Sequence, residues 1–153
     1  MKQIKKIRII AYLFFVIYLL LLFHLTVIGR LGKEGIIEGS NYLLWNRINL
    51  IPFKSIYAYL FHPRSIKTEI INIGGNILAF IPLGFILPVL NQYWKSYRRI
   101  IMISIFTSVF IEAIQGLLRV GSSDIDDVIL NLMGGLIGYF LFYISLGRLN
   151  KGG

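Results

Sequence analysis

The sequence predicts an all-α membrane protein: a four-transmembrane-helix bundle with a short interfacial helix in a long first outer loop. Three observations predict it. Mean hydropathy is +0.72, and 56 % of the 153 residues are hydrophobic against 15 % charged, a balance far from that of a soluble domain. Four predominantly apolar runs are each long enough to cross a bilayer. The remaining charges gather almost entirely between those runs. Helices are expected at 8–28, 70–90, 99–118 and 126–146, within a single domain covering 1–153.

Composition also excludes several chemistries. Cysteine is absent, which removes disulfides and thiolate nucleophiles, and two isolated histidines do not make a His-rich metal site. The net charge of +9 comes from Lys and Arg flanking apolar spans, with no basic stripe on a soluble surface. Anionic lipid headgroups are therefore the expected partners of that charge, and nucleic acid is not.

The first span follows Lys2, Lys5, Lys6 and Arg8 and is uncharged from Ile9 to Gly29. It is longer than the apolar core of a signal peptide and has no small-residue cleavage pattern, so it reads as a retained helix. His24, near its far end, reads as an interfacial or packing residue. Residues 30–69 then carry six basic and three acidic side chains, including Glu34 and Glu38. Within them the aromatic-rich stretch Trp45 to Phe61 suits a helix lying on the membrane. Started by Pro52, it would put Phe53, Tyr57 and Leu60 on one side. Asn49 and its neighbours could cover a site as a lid.

The second span, Ile70 to Trp94, contains Asn72 and Asn76 one turn apart on a shared face. Pro82 and Pro88 can kink it, and Gly74 and Gly75 would permit close approach of another backbone. The third span is apolar except for small hydroxyl residues, Glu112 and Gln115. A carboxylate at the centre of a membrane helix costs about 2.5 kcal/mol or more, so Glu112 should face the bundle. Glu112, Gln115 and Arg119 share one helical face.

Before the fourth span stand Asp124, Asp126 and Asp127, three of the seven acids in the chain. Ser123 and Asp126 have capping-box spacing. Beyond them Asn131 lies one turn into the membrane, and Gly134-x-x-x-Gly138 suggests close helix packing, within one bundle or in a dimer.

Charge predicts orientation. With four crossings and cytoplasmic termini, nine basic residues lie inside (Lys2, Lys5, Lys6, Arg8, Lys95, Arg98, Arg99, Arg148 and Lys151), while the loop between spans three and four holds only Arg119. This topology brings Asn72, Asn76, Glu112, Gln115, Asp126, Asp127 and Asn131 to one depth. Glu112 and Asn131 fall roughly 10 Å below the outer ends of their helices, a depth suited to a cleft open to the outer leaflet. Hydrogen bonds or close approaches are expected to link Glu112 or Gln115 to Asn72, Asn76, Asp127 or Asn131, with Arg119 neutralising an aspartate at the mouth.

Four ordered motifs carry a resemblance: Asn49-Leu-Ile-Pro52-Phe53; Asn72-x-x-Gly75-Asn76-x-x-x-Phe80-x-Pro82-x-Gly84-Phe85; Glu112-x-x-Gln115; and Asp124-Ile-Asp126-Asp127-x-x-x-Asn131-x-x-Gly134-Gly135-x-x-Gly138. The succession, from about residue 49 to 138, resembles the VanZ-like family. Many members resemble one another in an Arg shortly before the acidic motif; here Gly121-Ser-Ser occupies that approach and Arg119 lies earlier. The resemblance implies a bacterial cell-membrane protein whose founding member is linked to resistance to teicoplanin, a lipoglycopeptide acting on cell-wall precursors. Two classes of function follow. A binding protein would hold a lipid-linked precursor or a lipoglycopeptide in the outer-leaflet cleft, with membrane lipids around it and no cofactor. A membrane enzyme would use Glu112 or Asp127 as general base, or paired carboxylates holding a divalent cation against a phosphate.

Overall fold

The computed structural model describes residues 2–28, 48–63, 65–120 and 123–147. Glu34, Glu38, Trp45, Gly121, Ser122, Arg148 and Lys151, which entered the sequence reading, lie outside the described residues. Helix α1 (Lys2–Phe23) ends in a π-turn at His24–Ile28. A two-residue strand β1 (Ile48–Asn49) leads into the short helix α2 (Lys54–Phe61), and then comes α3 (Ile66–Leu90). A 3-10 turn (Gln92–Lys95) connects to α4 (Tyr97–Leu118), and strand β2 (Ser123–Asp124) opens α5 (Ile125–Phe142), which closes in a π-turn at Tyr143–Gly147.

Four stretches are long and apolar enough to cross a membrane: Ile9–Ile28, Ile66–Leu90, Tyr97–Leu117 and Ile125–Leu146. All four expected spans are present. The second begins four residues earlier than the apolar run suggests, because Lys67 and Glu69 lie in its first turn. Both Pro82 and Pro88 are carried inside α3, which continues through them to Leu90.

Glycine decides which helices touch. A Cβ on Gly134 would stand 2.1 Å from the Ile77 carbonyl oxygen, and one on Gly138 would stand 2.0 Å from that of Ile81. From the other side, a Cβ on Gly84 would meet the Gly135 oxygen at 1.9 Å. Thus α3 and α5 are in backbone contact, the small-xxx-small geometry that dispersion forces favour where lipid offers no hydrophobic drive. Gly135 faces α4 instead, where the Ser104 hydroxyl fills the space its missing side chain leaves. The expectation for Gly74 and Gly75 is corrected: nothing lies within 4 Å of a Cβ at either. A glycine pair marks a permissive position, and its helical face decides whether a neighbour uses it.

Around that seam lie Phe80, Leu83, Leu87 and Leu90 of α3, Ile100 and Ile111 of α4, and Leu22 of α1. Helix α1 is peripheral, with 6 % of its span buried against 33 %, 33 % and 39 % for the others. The Tyr18 hydroxyl anchors it by donating to the Ala79 carbonyl at 2.8 Å. Its large exposed residues, such as Leu13, Phe14 and Leu20, form a continuous apolar face suited to lipid. At the basic end, the Tyr139 hydroxyl donates to the Lys95 carbonyl at 2.7 Å, and the Arg99 guanidinium lies 3.8 Å over the Tyr93 ring while donating to the Tyr93 carbonyl.

Candidate functional site

The polar residues singled out above meet at the opposite end of the bundle, where α5 begins. The first device there is a cap. Asp124, not Ser123, is the N-cap of α5: its Oδ1 accepts from the Asp126 backbone N–H at 2.9 Å. Ser123 uses its hydroxyl differently, donating to the Glu112 carbonyl at 3.0 Å. The expected capping box therefore gives way to an Asp cap, which also suits the positive end of the helix dipole.

The second device joins α2 to α5. Strands β1 and β2 pair in parallel, with Ile48 opposite Ser123 and Asn49 opposite Asp124. The Asn49 amide donates to Asp124 Oδ1 at 3.0 Å and to Ser55 Oγ at 3.1 Å, and the Ser55 hydroxyl donates to Asp124 Oδ2. Asp126, fully buried, accepts three backbone N–H groups from the start of α2: Phe53 at 2.5 Å, Ser55 at 2.7 Å and Ile56 at 3.0 Å. These are orphan donors of a helix N-terminus, and α2 has no side-chain cap of its own. A carboxylate from a distant helix supplies it. Pro52 does not start the helix, as the sequence suggested; it begins at Lys54, after Phe53 in a left-handed conformation with φ 65°. Such a conformation costs a non-glycine residue about 1–2 kcal/mol, and the Asp126 bond to the Phe53 N–H helps hold it. Tyr57, Leu60 and Phe61 remain exposed, as befits an interfacial helix.

The membrane-embedded polar residues find partners on several helices. Glu112 Oε2 accepts from the Asp124 N–H at 3.0 Å, and the Gln115 amide donates to the Thr26 carbonyl at 2.9 Å, tying α4 to the end of α1. The Asn131 amide donates to Ser108 Oγ at 2.8 Å. Asn76 reaches across to α5, donating to Asp127 Oδ1 at 2.6 Å, while Asn72 donates to Glu69 Oε2 at 3.3 Å within α3. Beside the expected linkage of Glu112 or Gln115 to Asn72, Asn76, Asp127 or Asn131 stand bonds to backbone, from the Asp124 N–H to Glu112 and from Gln115 to the Thr26 carbonyl. The bond between Asn76 and Asp127 joins two of the residues placed at this depth, although the pairing itself was not among those expected. Arg119 caps α4 with φ 57° and lies exposed; among the described residues its guanidinium forms no ion pair with an aspartate.

These bonds divide the acids by role. Asp124, Asp126 and Glu112 accept backbone N–H groups and organise the fold, whereas Glu69 and Asp127 accept from the amides of α3. Glu69 was missed in the sequence reading, as were Ser55 and Ser108. Glu69 is only 8 % exposed and, with Tyr59, His62, Ser65, Thr68 and Asn72, lines a cavity of about 380 Å³ between α2 and α3. Its position at the edge of a charged loop made it look like a solvated residue. Among the described residues, no group of three or more His, Asp or Glu is arranged to hold a metal ion.

Four spans and a buried polar end, built from these ordered motifs, define a small multi-pass membrane protein. The VanZ/LLP1 family profile matches residues 9–146, so the chain belongs to that family. It is similar to Protein VanZ of Enterococcus faecium, at 26 % identity over 116 residues, covering 71 % of each chain. No solved structure matches it.

Proposed function

We propose that this VanZ/LLP1-family protein is a non-enzymatic, resistance-related membrane protein of the bacterial cell envelope. It binds the headgroup of a lipid-linked precursor or a lipoglycopeptide at the outer leaflet. The observation that carries this reading is the polar line Glu69, Asn72, Asn76 and Asp127 from α3 to α5, whose first two members line a cavity of about 380 Å³. A volume of that order accommodates a headgroup-sized ligand. The alternative, acid–base or metal-assisted chemistry at Glu112 or Asp127, is less well supported: Glu112 Oε2 is already held by the Asp124 N–H, which suits a positioning role in the fold.

Asp127→Asn and Glu112→Gln are expected to reach the membrane at normal levels, because each keeps an acceptor oxygen where the structure uses one. Asp127→Asn, together with Asn76→Ala, should weaken ligand binding about tenfold, the equivalent of one charge-assisted hydrogen bond. Lipoglycopeptide tolerance of cells expressing each variant, read beside membrane abundance, checks this. Unchanged tolerance at normal abundance would count against the polar line as the binding site.

The basic 3-10 turn should lie on the cytoplasmic side, with both termini. Single cysteines placed at Gln92 and at Leu60 test it. A membrane-impermeant thiol reagent on intact cells should label the Leu60 position and leave the Gln92 position unlabelled. The reverse pattern would move the polar end to the cytoplasm.

A further inference from the structure

Buried carboxylates at this end of the bundle are treated unequally. Asp126 receives three backbone N–H donors. Glu69, 8 % exposed, receives one among the described residues, from Asn72 at 3.3 Å, which is long for a bond to a charged acceptor. A carboxylate has about four acceptor sites, and leaving a buried one under-donated is costly. The group is placed instead against the cavity between α2 and α3. The other polar residues lining it are Tyr59, His62, Ser65, Thr68 and Asn72, which bring hydroxyl, imidazole and amide groups to the cavity wall. Ser65 occupies the N-cap position of α3 yet makes no side-chain capping bond.

We propose that this cavity is a pocket for a lipid-borne primary alkylammonium group, anchored by Glu69. An ammonium supplies three donors and cancels the buried charge at once, matching a carboxylate in a cavity wall that also carries hydroxyl groups. A phosphate would face Glu69 with like charge, and a neutral sugar would satisfy the oxygens while leaving the charge unbalanced. The volume holds an aminoacyl-sized headgroup. Exposed Leu60 and Phe61 of α2, and Ile66 and Ile70 of α3, lie on the adjoining faces, where acyl chains would run. The inference rests on the proposal that this end of the bundle receives a headgroup, and it names the chemistry received.

The test uses the full chain in phosphatidylcholine nanodiscs doped in turn with lysyl-phosphatidylglycerol, phosphatidylglycerol or a diglucosyl diacylglycerol, with native mass spectrometry reading the lipid retained. Lysyl-phosphatidylglycerol is expected to be retained about tenfold over phosphatidylglycerol, and Glu69→Gln should erase that preference while the melting temperature stays put. Because Glu69→Gln could fail to fold, a photo-crosslinker on Thr68→Cys, with Glu69 intact, should capture the lysyl lipid selectively. Free lysine methyl ester is expected not to displace the lipid; displacement at equal concentration would overturn the lipid-borne assignment. Equal capture of all three lipids would overturn ammonium recognition while leaving a headgroup pocket standing. Capture of none would overturn both.

Discussion

Gly138→Ala and Gly134→Ala are each expected to destabilise the protein by about 1–3 kcal/mol, the usual range for forcing atoms into a packed contact. The obstruction is backbone: the new methyl would lie 2.0 Å from the Ile81 carbonyl oxygen or 2.1 Å from that of Ile77. A side chain could rotate away, but a helix carbonyl cannot, so α3 and α5 must part. Both positions lie on one seam, and the double variant should not follow the sum of the two singles. Gly74→Ala and Gly75→Ala provide the internal comparison. With nothing within 4 Å of the added methyl, they should be neutral or stabilising by up to about 1 kcal/mol through helix propensity. Thermal unfolding of the four single variants in detergent, followed by monodispersity, is the measurement. Equal losses in all four would mean that α3 and α5 do not meet as described.

Asp126→Ala should release α2 from the bundle. Three N–H groups would lose their shared carboxylate, at a cost of roughly 3–5 kcal/mol, as for removing one partner from a buried charged network. Asp126→Asn should rescue little, since one of its two oxygens becomes an NH₂ aimed at backbone donors. The contrast with the adjacent Asp127 is the sharpest available: its Oδ1 accepts from the Asn76 side chain, and an Asn there can keep that oxygen. Hydrogen exchange at Phe53, Ser55 and Ile56 should accelerate strongly in both Asp126 variants and remain near normal in Asp127→Asn. Slow exchange at those amides in Asp126→Ala would show that α2 is held by something else.

The four spans were legible because membrane insertion demands long runs without charge, a signal carried by adjacent residues. The short helix α2 was legible from its aromatics, although its start was misplaced: nothing near Pro52 indicates that Phe53 turns left-handed. What was hidden depends on residues far apart in sequence. Asp126 bonds to Phe53, Ser55 and Ile56 some 70 positions earlier, and strands of two residues are too short to show alternation. Gly74-Gly75 and Gly134-Gly135 look alike as letters, yet the first pair is open and the second is locked between helices. Among the polar residues, Asn76 and Asp127 meet at the shared depth that their helical positions suggested, whereas the backbone bonds of Glu112 and Gln115 to Asp124 and Thr26 have no signal in the sequence. Glu69 escaped notice because an apolar run counted from Ile70 leaves it in the loop, while α3 actually begins at Ile66.

The clasp between α2 and α5 also dictates an order of biogenesis. Synthesis runs from the N-terminus, so residues 48–61 emerge from the ribosome well before Asp124 and Asp126 exist. Until the fourth span is made, the start of α2 has no carboxylate to receive its amides, and Asn49 has no strand to pair with. Three spans can enter the translocon while this end remains unassembled. Its completion belongs to the closing moments of translation, when a single helix delivers the acids, the glycine seam and the strand partner together.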